Sequence, residues 1–271
     1  MNNKVKHLKH IPFINTSYEN DVEFALQIIR YHLKPLGLWP KIFISSMTER
    51  VFSYILTIVC VSLLAFVTIP GGLFTFIIVT DSSLRLKLTG VLSFCLMAIL
   101  KYWSLGVRKT HLIECIERMM NDWRNVGSVD DRHVMLTYAQ YGRYGATICA
   151  SFMYGGALFY AGILPKVSAA QKNADNVTIR PLPYPGYYVF FDPQASPAYE
   201  IVFIINCFCA FVMHSISSTT CCIAVIFVMH ACGQLGIMNT WLEAVIQDGK
   251  SSLMTSDAKF FVIIDQHVRT L

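Results

Sequence analysis

Two histidines, a run of hydroxyls and eight of the nine cysteines are the side chains that could do chemistry inside the apolar parts of this sequence. His214 stands beside Ser215, Ser217 and Ser218, a grouping that could hold a proton or a polar ligand within a membrane. The favoured alternative is a histidine hydrogen-bonded to neighbouring helices. His230 lies sixteen residues further on, too far to act with it. Catalysis needs more convergence than this. There is no G-x-S-x-G, no H-E-x-x-H, no pair of intramembrane carboxylates and no phosphate-cradling glycine loop. No enzyme chemistry, metal site or cofactor is therefore expected. Cys60, Cys95, Cys149, Cys207, Cys209, Cys221, Cys222 and Cys232 lie in apolar stretches, and Cys115 in a charged helical connector. Without a C-x-x-C or a zinc-like Cys/His spacing, all nine read as small packing residues.

The elements that must position these residues follow from composition. Of 271 residues, 54% are hydrophobic and only 14% charged, and the mean hydropathy is +0.48. A soluble domain carries about 25% charged residues. Too few charges remain to coat a soluble surface, which excludes an ordinary cytosolic enzyme and a disordered chain. The net charge of +5 is dispersed and forms no basic stripe, so no nucleic-acid partner is expected. The partner is a lipid bilayer.

Crossing the hydrocarbon takes about 20 mostly apolar residues, and four segments reach that length. Val51 to Thr80 holds 30 uncharged residues, with Pro70, Gly71 and Gly72 expected to break the helix near its far end. The second lies between Lys87 and Arg108, interrupted only by Lys101, whose stem can carry its ammonium to an interface. The third runs from Tyr144 to Pro165. The fourth, Ile201 to Leu242, has 42 residues without a formal charge, enough to continue out of the bilayer. The expected fold is thus all-α, a four-span transmembrane helical bundle.

Basic residues choose its orientation. Segments 1–50, 105–140 and 231–271 hold 15 Lys and Arg, against 5 in loops 80–88 and 165–198. The positive-inside rule places the N-terminus in the cytoplasm. No cleavable signal precedes the first span. The expected organisation is a cytoplasmic segment over 1–50, spans one to three over 51–164 with a cytoplasmic connector at 105–140, an extracellular loop at 165–198, and span four continuing into a cytoplasmic helix over 199–271.

The extracellular loop carries the sequon Asn176-Val177-Thr178, so Asn176 is the expected glycosylation site, whereas Asn15-Thr16-Ser17 falls on the cytoplasmic side. Six of the ten prolines lie in this loop, which should make it a stiff lid. Its aromatics Tyr184, Tyr187, Tyr188, Phe190 and Phe191 can cover a cavity or form an interfacial belt. In segment 1–50, Val22, Leu26, Ile29 and Leu33 form the stripe of a helix lying on the membrane and stopped by Pro35. Residues 108–124 read as a charged helix with a Leu112, Ile116, Met119 seam, ended by the polar patch Asn125 to Asp131.

Helices lined by aromatic and medium-sized side chains with a few hydroxyls suit capture of a small, mostly apolar molecule. On the fourth helix Ile204, Phe208, Phe211 and Ser215 share one face. The third offers Ser151, Tyr154 and Leu158, and the second Leu92, Cys95 and Ile99. From these, Leu92, Cys95, Ser151, Tyr154, Phe208, Phe211 and Ser215 are the candidate ligand-binding residues. Helix packing is the competing reading of each stripe.

Several short segments carry a resemblance: Leu36-Gly37-Leu38-Trp39-Pro40, Cys115-Ile116, Asp122-Trp123, Pro183-Tyr184-Pro185, Phe191-Asp192, Ser196-Pro197-Ala198-Tyr199-Glu200, and His230-Ala231-Cys232-Gly233-Gln234-Leu235. In order and spacing the chain resembles insect odorant receptors, most closely those of ants, bees and wasps. The resemblance implies a seven-span, odorant-gated cation channel in the plasma membrane of olfactory sensory neurons. It also implies a heteromeric tetramer with an olfactory co-receptor, and a small volatile odorant held among spans two, three, four and six. Four spans are present, and Thr270-Leu271 falls in what looks like the connector to span five, so the chain reads as the N-terminal portion of such a receptor. Expression with a co-receptor is then expected to give no odorant-specific current. The alternatives are a four-span scaffolding membrane protein or a non-functional receptor fragment.

Overall fold

A computed structural model describes residues 15–39, 46–167, 171–172 and 178–249. The architecture is all-α. In chain order the helices are α1 (Tyr18–Leu33), α2 (Met47–Leu73), α3 (Ser82–Val107), α4 (Lys109–Arg124), α5 (Val129–Ala157), α6 (Leu164–Val167) and α7 (Ala198–Gly249). Widened π-helical turns, Phe74–Ile78 and Leu158–Ile163, follow α2 and α5. The only ladder among the described residues is a two-residue hairpin, β1 (Gln171–Lys172) against β2 (Thr178–Ile179), antiparallel. Four stretches are long and apolar enough to cross a membrane: Met47–Ile78, Ser82–Val107, Val129–Val167 and Ala198–Ala244. The 52 residues of α7 extend about 78 Å at 1.5 Å per residue, more than twice the hydrocarbon thickness of about 30 Å. Asn176 lies outside the described residues.

The chain divides into two compact units. The larger comprises Gln27–Ile113 and Gly145–Ala224. In it the Leu36-Gly37 turn docks on α2: Ser53 Oγ donates to the Gly37 carbonyl at 2.7 Å and Tyr102 Oη to that of Leu36 at 2.8 Å. Gly37 also closes α1. Its φ of +69° lets Leu38 N reach the Leu33 carbonyl and Gly37 N that of Lys34, both at 3.0 Å, a Schellman closure. The expected stop at Pro35 is therefore completed two residues later by glycine. Along the expected membrane-facing stripe, Val22 and Leu26, which belong to the smaller unit, and Ile29 and Leu33 of the larger one are all buried, the last two completely, so protein and not lipid covers these side chains.

The break expected at Pro70-Gly71-Gly72 does not occur; α2 runs through Pro70 to Leu73 and into the π turn. A proline removes one helical N–H, and in an apolar medium the disturbed backbone must be satisfied within the protein. Beyond the proline, the carbonyls of Gly71 and Pro70, which both accept from Phe74 N, gain additional donors: Thr75 Oγ1 to Gly71 at 2.7 Å and Tyr187 N from the lid to Pro70 at 2.9 Å. At Pro165 a side chain reaches the position four residues back. Cys207 Sγ approaches the carbonyl of Ala161, the residue four positions before it, at 3.8 Å. Cys209 Sγ donates to the Leu63 carbonyl at 3.2 Å. All nine cysteines are free, and Cys60, Cys95, Cys209 and Cys222 are buried, which fits small packing residues that let helices approach. The Nζ of Lys101 lies 3.5 Å from the buried Ser217 hydroxyl.

The smaller unit comprises the described parts of Met1–Leu26, Glu114–Tyr144 and Val225–Leu271. In the α4 seam Ile116, Met119 and Trp123 are buried, the last completely. The α4–α5 turn is short because Ser128 caps α5, its Oγ accepting from Asp131 N at 3.0 Å. Helix α5 thus starts at Val129, fifteen residues before the expected third span at Tyr144. Asp21 is gripped by Arg132, and Trp241 Nε1 donates to Asp131 Oδ1 at 3.1 Å.

Candidate functional site: a cleft under the proline-rich loop

Within the larger unit, Gly90, Val91 and Phe94 of α3, Tyr160 of the π turn, Tyr184 of the loop and His214 of α7 line an open cleft of about 280 Å³. Each wall has a local cause. Gly90 brings no side chain, and a Cβ built there would meet nothing within 4 Å. Phe94, one turn further along α3, lies with its ring centroid 5.0 Å from that of His214. The imidazole is held by its own helix, Nδ1 standing 2.8 Å from the Ala210 carbonyl, and not by a neighbouring helix as expected from sequence. The π turn presents Tyr160, whose ring is 5.5 Å from that of Tyr184.

Tyr184 of the loop is buried. Its carbonyl accepts from Asn206 Nδ2 at 3.1 Å, and Asn206 is itself fully buried with Oδ1 unpartnered among the described residues. Burial, reinforced by neighbouring thiols and Tyr160, pushes the Tyr184 phenol well above its ordinary range, so it stays a neutral hydroxyl. Tyr188 packs on Phe66 and stacks on Phe191 at 5.0 Å, and burial raises its phenol to about 12. Phe190 by contrast is 97% exposed. The loop is further tied by Arg180, whose guanidinium lies 4.0 Å from the Tyr199 ring centroid and bonds Glu200 at 3.1 Å. Prolines and these anchors hold the described part of the loop, residues 180–197, in place.

The seven residues chosen from sequence fall into three places. Leu92 and Cys95 line a narrow crevice of about 20 Å³ that shares Val91 and Tyr184 with the cleft. Tyr154, Phe211 and Ser215 meet each other: the two rings stack at 5.4 Å, and the Tyr154 hydroxyl lies 3.1 Å from Ser215 Oγ. Phe208 is 60% exposed, and Ser151 is exposed with its hydroxyl turned to the Thr147 carbonyl of its own helix. Gly90, Val91, Phe94 and Tyr160 were not among the seven. The available signal was Gly90 one turn before Phe94 within an apolar helix, since a glycine there leaves space at a helix face.

In the smaller unit, two segments far apart in sequence come together. His230 Nε2 lies 3.0 Å from Asp122 Oδ2, and the His230 ring packs on Trp123. Asn15 Nδ2 donates to the Trp123 carbonyl and to Asp21 Oδ2, each at 3.0 Å. A polar crevice of about 90 Å³ nearby is lined by Asn121, Asp122, Asn125, Asp131, Gln234 and Trp241 among others. Among the described residues no three His, Cys, Asp or Glu side chains converge on a metal position.

The solved structure of the insect olfactory receptor OR5 from Machilis hrabei is similar over 94% of this chain, with a TM-score of 0.65 and 15% sequence identity. The chain spans 64% of the length of that structure. At this identity the likeness establishes the fold. A search of curated proteins finds no match. The family described as 7tm Odorant receptor matches residues 83–271, from α3 to the last residue, and the chain belongs to that odorant receptor family.

Proposed function

We propose that the chain is the odorant-recognising part of a receptor subunit, and that the cleft beneath Tyr184 takes a small, mostly apolar volatile molecule. The observation that carries this reading is a cleft walled by three aromatic rings and one imidazole in a member of the odorant receptor family. Its volume approaches the range of about 300–1,000 Å³ found for small-molecule sites. In this reading the N-terminus and the 105–140 connector are cytoplasmic, the 165–198 loop is extracellular with Asn176 glycosylated, and the protein lies in the plasma membrane of olfactory sensory neurons. The receptor works as an odorant-gated cation channel with a co-receptor in a heteromeric tetramer. The basic asymmetry of 15 to 5 and the family membership support it.

The test is saturable binding of volatile probes to the purified chain, with Gly90→Leu as the filled-cleft control. Binding by the wild type that is lost in Gly90→Leu supports the site, and unchanged binding overturns it. Orientation is tested by glycosylation mapping, where modification at Asn15 in place of Asn176 would reverse the topology. Channel function is tested by a ligand-dependent current that requires both this chain and the co-receptor.

A further inference from the structure

The hydrogen-bonding groups of the cleft are lopsided. The carbonyl of Ala210 can only accept, so in the neutral ring of His214 the proton sits on Nδ1, which donates to it at 2.8 Å. Nε2 is then a bare acceptor. Among the described residues nothing donates to it, and its neighbour Gly156 lays no side chain over it: a Cβ there would come into ordinary contact with Nε2, at 3.9 Å. The remaining polar groups on the walls are the hydroxyls of Tyr160 and Tyr184, which can donate or accept and form no hydrogen bond with the described residues.

A ligand that satisfies this wall must bring a donor. We infer that the cleft selects a small apolar molecule bearing a hydroxyl, an alcohol or a phenol, whose O–H donates to His214 Nε2 while its oxygen accepts from a tyrosine hydroxyl. The inference rests on the cleft being the ligand site. An ether, aldehyde, ketone or ester of the same shape only accepts, and leaves Nε2 desolvated and unpaired. A cavity of about 150 Å³ accommodates benzene. The 280 Å³ here fits one ring with a short hydroxyl-bearing tail, its faces against Phe94 and Tyr160.

The experiment measures equilibrium binding of labelled 2-phenylethanol to the purified full chain, with its methyl ether and phenylacetaldehyde as competitors. Three proteins are compared: wild type, His214→Phe and Gly90→Leu. The wild type should prefer the alcohol about tenfold or more, the cost of one unpaired buried acceptor. His214→Phe keeps a ring against Phe94 and should bring the three probes to within about twofold of one another. Gly90→Leu should weaken all three. Equal affinities in the wild type, with Gly90→Leu still blocking them, overturn the hydroxyl preference and leave the cleft as the site. Probe binding indifferent to Gly90→Leu, or no saturable binding, overturns both. If His214→Phe fails to fold, the wild-type preference alone decides.

Discussion

Arg132 holds Asp21 from 111 residues away with two hydrogen bonds of 2.7 Å, Nε to Oδ2 and an Nη2 to Oδ1. The carboxylate is nearly buried, with 5% of its side chain exposed, and Asn15 supplies a third donor. The pair ties the start of α1 to the first turns of α5. Substituting Asp21→Ala strips the partner from a half-sheltered guanidinium and leaves Asn15 short of an acceptor, a loss of roughly 1–3 kcal/mol. Thermal unfolding in detergent should show a clearly lower midpoint than wild type. An unchanged midpoint would mean that the pair contributes nothing.

The same carboxylate sets a pH dependence. Burial opposes the charge of Asp21, but hydrogen bonds from Arg132 and Asn15 and the Arg132 charge outweigh it and hold the carboxyl below its usual 3.8. A group depressed on folding stabilises the protein above its unfolded value and loses that contribution as pH falls through its folded value. Wild type should therefore lose stability on acidification below about pH 4, and Asp21→Asn should flatten that part of the curve. Unfolding midpoints over pH 3–7 measure the difference. Parallel curves for the two proteins would contradict it.

Gly37 allows no side chain. Its φ of +69° disfavours a Cβ, and one built there would collide with the Ser53 carbonyl and stand 2.6 Å from Thr57 Oγ1. Gly37→Ala must either unwind the α1 closure or push the turn off α2. The expected cost is about 2 kcal/mol or more, read as a drop in folded, monodisperse protein and in its unfolding midpoint. A variant as stable as wild type would show that the turn docks elsewhere.

Phe94 and Phe211 separate cleft from packing. Phe94 lines the cleft, whereas Phe211 stacks on Tyr154. Phe94→Ala should weaken a cleft ligand about ten- to hundredfold by removing buried ring contact. Phe211→Ala should change it by less than about threefold, because the lost ring does not wall the cleft. Affinities normalised to folded protein distinguish the two. A larger effect at Phe211 would move the site toward Tyr154 and Ser215.

What the sequence determined by itself is the membrane architecture and the family. Apolar stretches long enough to cross hydrocarbon, one of them interrupted by Lys101, mark the four spanning helices because lipid leaves the backbone no partner outside a helix. The order of the short motifs likewise points to odorant receptors. Tertiary structure decided the rest. Pro70 reads as a helix stop, yet α2 runs through it to Leu73, and Tyr187 N from a distant loop adds a donor to its carbonyl. Phe208 and Phe211 share a face by spacing, but both are half-exposed or more, at 60% and 52%, and only Phe211 finds Tyr154. Helical periodicity states which residues share a face and is silent on what that face meets. The cleft needed Tyr184 and Gly90, about ninety residues apart, to converge with His214, and such a convergence is a property of packing alone.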